Sequence, residues 1–174
     1  MKKFELTNEF VTNMFGTKLF RIRALVEFGD VEAGELGGYV EKESNLGHDD
    51  NAWVYDNARV YGNARVYGDA QVSGDARVCG NARVYGDARV CGNGDYAYAH
   101  GFGSVNRTTT FFRLKDGGVG VRCGCFYGTL AQFRDKIRET HGESAIAEEY
   151  LDLAALMEKR FRRTGNEQKT EEES

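Results

Sequence analysis

Arginine and tyrosine recur at fixed spacing in the middle of this sequence, where one six-residue pattern is repeated with little change. The stretch "NARVYGNARVYGDAQVSGDARVCGNARVYGDARVCG" runs from Asn57 to Gly92 and repeats the pattern Ala-Arg-Val-Tyr-Gly-Asn/Asp. An arginine fork can hold a phosphate through two hydrogen bonds, and an aromatic ring can stack on a nucleobase. The pattern therefore suits binding of a nucleotide-type anion, provided that the fold brings the repeated side chains together.

The period of six indicates the fold that positions these side chains. Valines recur every six residues from 54 to 90, and alanines recur every six residues from 52 to 88. In an extended segment, Ala and Val two residues apart point to one side, while Arg and Tyr point to the other. The following Gly-Asn or Gly-Asp pair favours a bend because it accepts left-handed backbone angles. Short strands and bends should therefore wind into a coil with an interior of Ala and Val.

These repeats resemble the hexapeptide-repeat superfamily, in which an aliphatic residue, a variable pair, a residue that is often Asn or Asp, a small residue and a further variable residue recur. The segment Val60-Tyr61-Gly62-Asn63-Ala64-Arg65 fits that pattern, and its neighbours fit it as far as Val90. The resemblance implies a left-handed parallel β-helix with three hexads per triangular turn, an exception to the right-handed crossover preference.

The predicted fold class is mainly β, a left-handed parallel β-helix of hexapeptide repeats with a C-terminal β-hairpin and two α-helices. Acidic residues crowd the end of the chain, and such a tail favours disorder. Four parts are predicted: an N-terminal capping segment (1–39), the β-helix (40–104), a hairpin plus helical region (105–163) and a disordered acidic tail (164–174).

Details within these parts follow from local patterns. A strand is predicted from Lys18 to Ala24, and "GHDDN" inserts two residues into the six-residue phase before Val54. Tyr96 and Phe102 keep the phase and are predicted to close the end of the coil as larger inward-facing residues. The hairpin turns at Asp116-Gly117-Gly118, one helix begins after Thr129 and ends near Thr140, and a second runs from about Ser144 to Arg162.

With three hexads per turn, side chains at the same position of every third hexad are expected to lie side by side. Like charges held about 4.8 Å apart repel unless an anion, an acidic partner or water intervenes. The same side chains also suit a subunit-packing face, because tyrosine-rich surfaces mediate subunit contacts. The predicted ligand-binding residues are Arg65, Tyr67, Arg83 and Tyr85 on one outer face and Arg59, Tyr61 and Arg77 on the next.

Composition argues against several classes of function. The formal net charge of −4 lacks the basic footprint of a general nucleic-acid binder. No apolar run long enough for a membrane span follows the N-terminal lysines, so we expect neither a membrane protein nor a signal peptide, and we expect a cytoplasmic location. The Cys123-Gly124-Cys125 spacing is too tight for a zinc knuckle, so no metal is predicted.

An enzymatic alternative comes from the superfamily resemblance. Many hexapeptide-repeat proteins are trimeric acyltransferases that use acyl-coenzyme A and a histidine general base. In this chain the candidate bases are His48, which lies in the two-residue insertion, and His100, which falls at an inward position of the predicted plug. His141, at a helix end, is a third. Coenzyme A is the cofactor of this alternative, whereas the preferred interpretation needs neither cofactor nor catalytic residue.

A closer resemblance covers about residues 19 to 161. The segments "GELGGYVE", "NAWVYDNARVYG" and "CGCFYGTL" are similar to those of a group of small proteins from bacteriophages and prophages. Small oligomeric phage proteins without an evident catalytic centre are a plausible source of counter-defence sponges, and the stacked Arg and Tyr side chains favour this interpretation. Such a sponge binds a host immune nucleotide and keeps it from its effector. We therefore expect a homo-oligomer, a trimer or a multiple of it, with a small anionic nucleotide-type ligand. A structural or protein-interaction scaffold stays open as a third interpretation.

Overall fold

Each repeat forms a two-residue strand made of its valine and the residue before it. The computed structural model describes residues 1–172. Residues 1–93 form one unit, in which three longer strands precede seven short ones. The strands are β1 (Phe4–Thr12), β2 (Lys18–Ala24), β3 (Leu36–Val40), β4 (Trp53–Val54), β5 (Arg59–Val60), β6 (Arg65–Val66), β7 (Gln71–Val72), β8 (Arg77–Val78), β9 (Arg83–Val84) and β10 (Arg89–Val90).

The short strands stack in three parallel ladders that the chain visits in rotation. Strands β4, β5 and β6 belong to different ladders, and β7 returns to the ladder of β4. Val54 pairs with Val72, and Val72 pairs with Val90, so that one turn takes three hexads. The prediction that every third hexad stacks is confirmed in all three ladders.

Alanine and valine form the interior of this solenoid, as the six-residue period predicts. Every alanine of the series 52 to 88 and every valine of the series 54 to 90 has no exposed surface. Burying one valine side chain contributes about 1.5 to 3 kcal/mol, and the repeat supplies that contribution once per strand. The predicted bends are also present, since the glycines at 62, 68, 74, 80 and 86 have φ between 61° and 71°.

The first turn is two residues longer than the others. Val40 pairs with Val60, and Leu46 bridges to Val66, so that each of these partners lies two residues beyond three hexads. From Val54 onward each turn takes three hexads without an insertion. The two-residue insertion predicted between Leu46 and Val54 is therefore confirmed.

The N-terminal strands extend one ladder of the solenoid. Strand β3 is parallel to β5, and β2 and β1 follow it in antiparallel order. The strand predicted over Lys18–Ala24 is confirmed, whereas β1 was not predicted. Trp53 points away from the solenoid interior and is still fully buried, because the rings of Phe4 and Phe28 pack on it at 6.2 and 5.3 Å.

The second unit begins at residue 94 and contains a four-stranded antiparallel sheet and two helices. The buried side chains of the sheet and both helices form one apolar cluster that includes Phe111, Phe133 and Phe161. The elements are β11 (Tyr96–Phe102), β12 (Arg107–Arg113), β13 (Val119–Cys123), β14 (Phe126–Thr129), α1 (Leu130–His141) and α2 (Ala145–Glu172). The hairpin of β12 and β13 and the Thr129 cap, whose hydroxyl accepts from the Gln132 N–H, are confirmed.

Residues 96–102 do not continue the solenoid, so the prediction that Tyr96 and Phe102 plug its end is wrong. Strand β11 pairs antiparallel with β12, and Tyr96 lies opposite Phe112. The reason lies in the local pattern: Tyr and Ala alternate with a period of two from 96 to 99, which fits a continuous strand better than a bend every six residues. His100 accordingly lies exposed on β11 instead of facing an interior.

The predicted disorder of residues 164–174 is wrong as far as Glu172, because α2 continues to that residue. Thr164 is buried, and the Gln168 amide donates a hydrogen bond of 2.8 Å to the Asp95 carboxylate. Arg163 and Glu167 form an (i, i+4) ion pair at 2.9 Å, which supports a helix. The last part of this prediction, Glu173 and Ser174, lies outside the described residues.

Candidate functional site

The residues Arg65, Tyr67, Arg83 and Tyr85 lie together on one ladder of the solenoid, and we call this set the Arg/Tyr face. Arg65 and Arg83 occupy matching positions of the parallel strands β6 and β9, about 4.8 Å apart along the ladder. Both arginines are exposed. The rings of Tyr67 and Tyr85 lie 4.6 Å apart at 42°. The structure thus brings together the four residues that the repeat predicts to be neighbours.

On the Arg/Tyr face, the guanidinium of Arg65 is open to an anion. Arg65 forms no ion pair with any of residues 1–172. Asp69, the nearest corner carboxylate along the chain, accepts a hydrogen bond of 2.9 Å from the Asn51 amide. Two guanidinium groups in one ladder repel each other, and an anion between them relieves that repulsion.

The ladder position before Tyr67 carries no side chain. The Gly47 N–H donates to Val66 O at 2.8 Å, which places Gly47 beside Tyr67 on the preceding turn. A methyl group on Gly47 would lie 3.1 Å from the Tyr67 Cβ. The tyrosine stack therefore ends at Tyr67 on this side without a further ring. A planar group of a ligand is able to take the place that a third ring would fill.

The second predicted face differs in its charge. Arg59 pairs with Arg77 in the ladder, as predicted, but the preceding member is Tyr39, whose hydroxyl donates to the Glu9 carboxylate at 3.1 Å. Tyr61 is hydrogen-bonded to Cys79, and burial together with this bond raises the pKa of the Tyr61 hydroxyl. The Glu9 carboxylate repels an anion, and the Tyr61 hydroxyl is already hydrogen-bonded to Cys79. This ladder is therefore a weaker anion site than the Arg/Tyr face.

His48 is held by packing and by the backbone. Its ring stacks on Phe4 with centroids 4.4 Å apart and planes at 14°. Its Nδ1 accepts a hydrogen bond of 3.2 Å from the Lys3 N–H. Burial, assisted by the charge of Lys3, lowers the pKa of the His48 imidazole. This imidazole is neutral at neutral pH, and one of its nitrogens is already engaged.

The other two histidines belong to the second unit. His100 is exposed, and its Nδ1 lies 2.8 Å from the Thr108 hydroxyl oxygen. His141 lies at the end of α1, where its ring stacks on Tyr150 at 6.0 Å.

The side chain of Lys3 is buried, and the sequence does not predict this burial. This residue is only 3% exposed, and its ammonium donates to the carbonyls of Asp50 and Ala52 at 2.6 and 2.8 Å. The ammonium also lies 4.5 Å from the centre of the Phe28 ring. Burial lowers the pKa of this amine to about 8. Lysine side chains are normally exposed to solvent, so nothing in "MKKF" predicts that Lys3 is buried.

Within residues 1–172, no group of three or more His, Cys, Asp or Glu side chains is placed to bind a metal ion. In the same part of the chain, none of the four cysteines forms a disulfide bond. Across the same described residues, no helix has the length and apolar character needed to cross a membrane.

Comparison with protein families identifies the class of the solenoid. Residues 52–68, 58–74, 70–86 and 76–92 each match the model of the YdcK beta solenoid repeat. The four overlapping matches, together with the three parallel ladders, show that residues 52–92 form a β-solenoid of repeats. The search of curated proteins gave no match.

Proposed function

We propose that this protein is a non-enzymatic, oligomeric binding protein that sequesters a nucleotide-type anion on its Arg/Tyr face. The observation that supports the proposal is the register of Arg65 with Arg83 beside the 4.6 Å contact of Tyr67 with Tyr85. The arginine pair suits a phosphate, and the open end of the tyrosine stack at Gly47 suits a base. A rigid β ladder fixes both, so little ordering entropy is lost on binding.

The finer parts of the proposal rest on the two resemblances. The winding is left-handed, as in hexapeptide-repeat proteins, and the protein acts as a trimer or a multiple of it. Its origin is a bacteriophage or prophage, and its ligand is a host immune nucleotide in the host cytoplasm. Sequestration requires that the ligand is bound and released unchanged, which separates this function from the coenzyme A-dependent acyltransferase.

The experiment is a thermal-shift screen at fixed protein concentration against cyclic dinucleotides, cyclic trinucleotides, ADP-ribose derivatives and coenzyme A. A ligand at 100 times its dissociation constant stabilises the fold by roughly 2.7 kcal/mol. We expect a nucleotide to raise Tm and to be recovered intact by chromatography. Stabilisation by coenzyme A alone supports the acyltransferase, and no stabilisation by any of them supports the scaffold; both outcomes contradict the proposal.

Variants locate the site. Arg65→Gln and Arg83→Gln should each weaken nucleotide binding, since each removes one phosphate fork from an exposed position. Tyr67→Leu should weaken it through lost stacking, whereas Tyr67→Phe keeps the ring and should bind nearly as well. Arg162→Gln, an exposed arginine on α2, is the matched control. Unchanged binding by both Arg65→Gln and Arg83→Gln would place the ligand elsewhere.

A further inference from the structure

A pocket of about 280 Å³ lies within the second unit, between the sheet and the two helices. This volume is close to the lower end of the range for small-molecule sites, roughly 300 to 1,000 Å³. None of its lining residues belongs to the solenoid. They include Arg107, Cys125, Phe126, Phe133, Lys136 and Tyr150.

One wall of the pocket is aromatic. Phe133 lies at its centre, 5.5 Å from Phe126 and 5.9 Å from Tyr150 between ring centroids. The ring of His141 stacks on Tyr150 with centroids 6.0 Å apart. Ile137 completes the apolar surface. A flat apolar group of a ligand can pack against these rings in offset or edge-to-face geometry.

The charged lining residues are all cationic. Arg107 and Lys136 line the pocket, and no lining residue is an aspartate or a glutamate. Lys136 forms an exposed ion pair with Glu139 at 3.1 Å. Arg107 forms no ion pair with any residue of the described chain. A guanidinium beside an apolar wall and without a carboxylate partner is suited to a ligand anion.

Two glycines leave room for the pocket residues. A methyl group on Gly124, which has φ of +59°, would overlap the guanidinium of Arg107. A methyl group on Gly103, which has φ of +79°, would overlap the Tyr150 hydroxyl. A methyl group at either glycine would therefore displace the Arg107 guanidinium or the Tyr150 hydroxyl from its present position.

The Tyr150 hydroxyl is a neutral donor. It donates to the Phe102 carbonyl at 3.4 Å and lies 3.9 Å from the Cys123 thiol. Burial and the neighbouring thiol raise the pKa of Tyr150 to about 12. The hydroxyl thus adds no negative charge to a pocket whose charged groups are cationic.

We propose that this pocket binds a small organic anion with an aromatic body, such as an aryl carboxylate or aryl phosphate, with Arg107 as the anion anchor and the rings of Phe126, Phe133 and Tyr150 as the apolar wall. The site is separate from the Arg/Tyr face, and its test does not depend on nucleotide binding. Tight binding requires both the negative charge and the aromatic ring of the ligand, because Arg107 and the aromatic wall line the same pocket.

The experiment measures protection of Cys125 from alkylation by iodoacetamide, followed by peptide mass spectrometry. Cys125 is exposed and lines the pocket, whereas Cys91 is exposed in the first unit and serves as the internal control. The probes are benzoate and phenyl phosphate, with benzyl alcohol and acetate as matched controls that lack the charge or the ring. Concentrations up to about 10 mM reach millimolar dissociation constants.

We expect benzoate or phenyl phosphate to slow alkylation of Cys125 about tenfold at ten times its dissociation constant, because only the free pocket reacts. The rate at Cys91 should not change, and benzyl alcohol and acetate should protect neither thiol. Arg107→Gln should abolish protection, Arg107→Lys should retain part of it, and Arg138→Gln, an exposed arginine on α1 outside the pocket, should behave as the parent protein. Circular dichroism checks that each variant is folded.

Two results would overturn the proposal. One is an unchanged rate of Cys125 alkylation with both aromatic anions over the whole concentration range. The other is protection that benzyl alcohol reproduces or that Arg107→Gln leaves intact, since either result removes the anion from the recognition.

Discussion

The two units of this protein are stabilised in different ways. In the solenoid of the first unit the same contacts recur once per turn: Val54, Val72 and Val90 stack in one ladder, and each neighbour is the same residue type. In the second unit, by contrast, buried Asp95 contacts Arg113 and Gln168, which lie far from each other in the sequence. The comparison indicates that the stability lost through a substitution in the solenoid depends on its position within the repeat. In the second unit the loss depends on which long-range contact the substitution removes.

The largest expected effect is in the solenoid interior. Val72→Asp places a carboxylate between Val54 and Val90, where no exposed surface remains, and should lower the free energy of unfolding by more than about 5 kcal/mol. Ser73→Asp introduces the same group on the half-buried outer side of the chain and should change it by less than about 0.5 kcal/mol. Urea unfolding followed by emission of Trp53, the single tryptophan, reports on this unit. Similar losses in the two variants would contradict the inward and outward assignment.

The second unit should be most sensitive at Asp95. Its carboxylate is 2% exposed, lies 3.6 Å from Arg113 Nε and accepts a hydrogen bond from Gln168. Asp95→Ala leaves the half-buried guanidinium of Arg113 without its carboxylate and should cost about 3 kcal/mol. Asp135→Ala, which breaks the exposed pair with Arg138, should cost no more than about 1 kcal/mol. Both are measured by circular dichroism at helical wavelengths, since both α-helices lie in this unit; equal losses would show that Asp95 is not a specific anchor.

Stacked corners should make the solenoid intolerant of a methyl group. Gly68 has φ of +71°, and a Cβ there would lie 2.8 Å from the Gly86 N, so Gly68→Ala should cost about 2 to 3 kcal/mol. Gly16 has φ of +81° in the β1–β2 turn with nothing within 4 Å of its Cβ position. Gly16→Ala should therefore show only the backbone term of about 1 to 2 kcal/mol. Equal losses of unfolding free energy in the two variants would contradict the prediction that close stacking of the corners adds to the cost at Gly68.

The most gradual effect is a pH dependence of the stability of the first unit. Lys3 has its pKa lowered to about 8 by burial, whereas the pKa in an unfolded chain is about 10.4. Between these values the unfolded state binds more protons, so this group makes stability rise with pH, by at most about 1.4 kcal/mol per pH unit. Denaturant titrations of Trp53 emission from pH 7.5 upward measure this slope, and Lys3→Met should remove the contribution of Lys3. An unchanged slope in Lys3→Met would assign the effect to another group.

Periodicity explains why much of the solenoid could be predicted from the sequence. The interior alanines and valines, the three-hexad turn, the insertion before Val54 and the neighbours Arg65 and Arg83 all follow from a spacing of six, because each turn contacts only its neighbours. The helix capped by Thr129 and the hairpin at Asp116 also follow from local signals. These features need no knowledge of residues distant in the chain.

The tertiary structure decided everything that depends on contacts between dissimilar and distant residues. Residues 96–102 keep the six-residue phase but pair with β12, Lys3 is buried by the loop at Asp50 and Ala52, and the pocket joins Arg107 to Tyr150. A local pattern fixes which backbone angles a segment accepts, whereas the free energy of burying a charge or pairing a strand edge depends on which partner reaches it. In this chain only the folded structure supplies those partners.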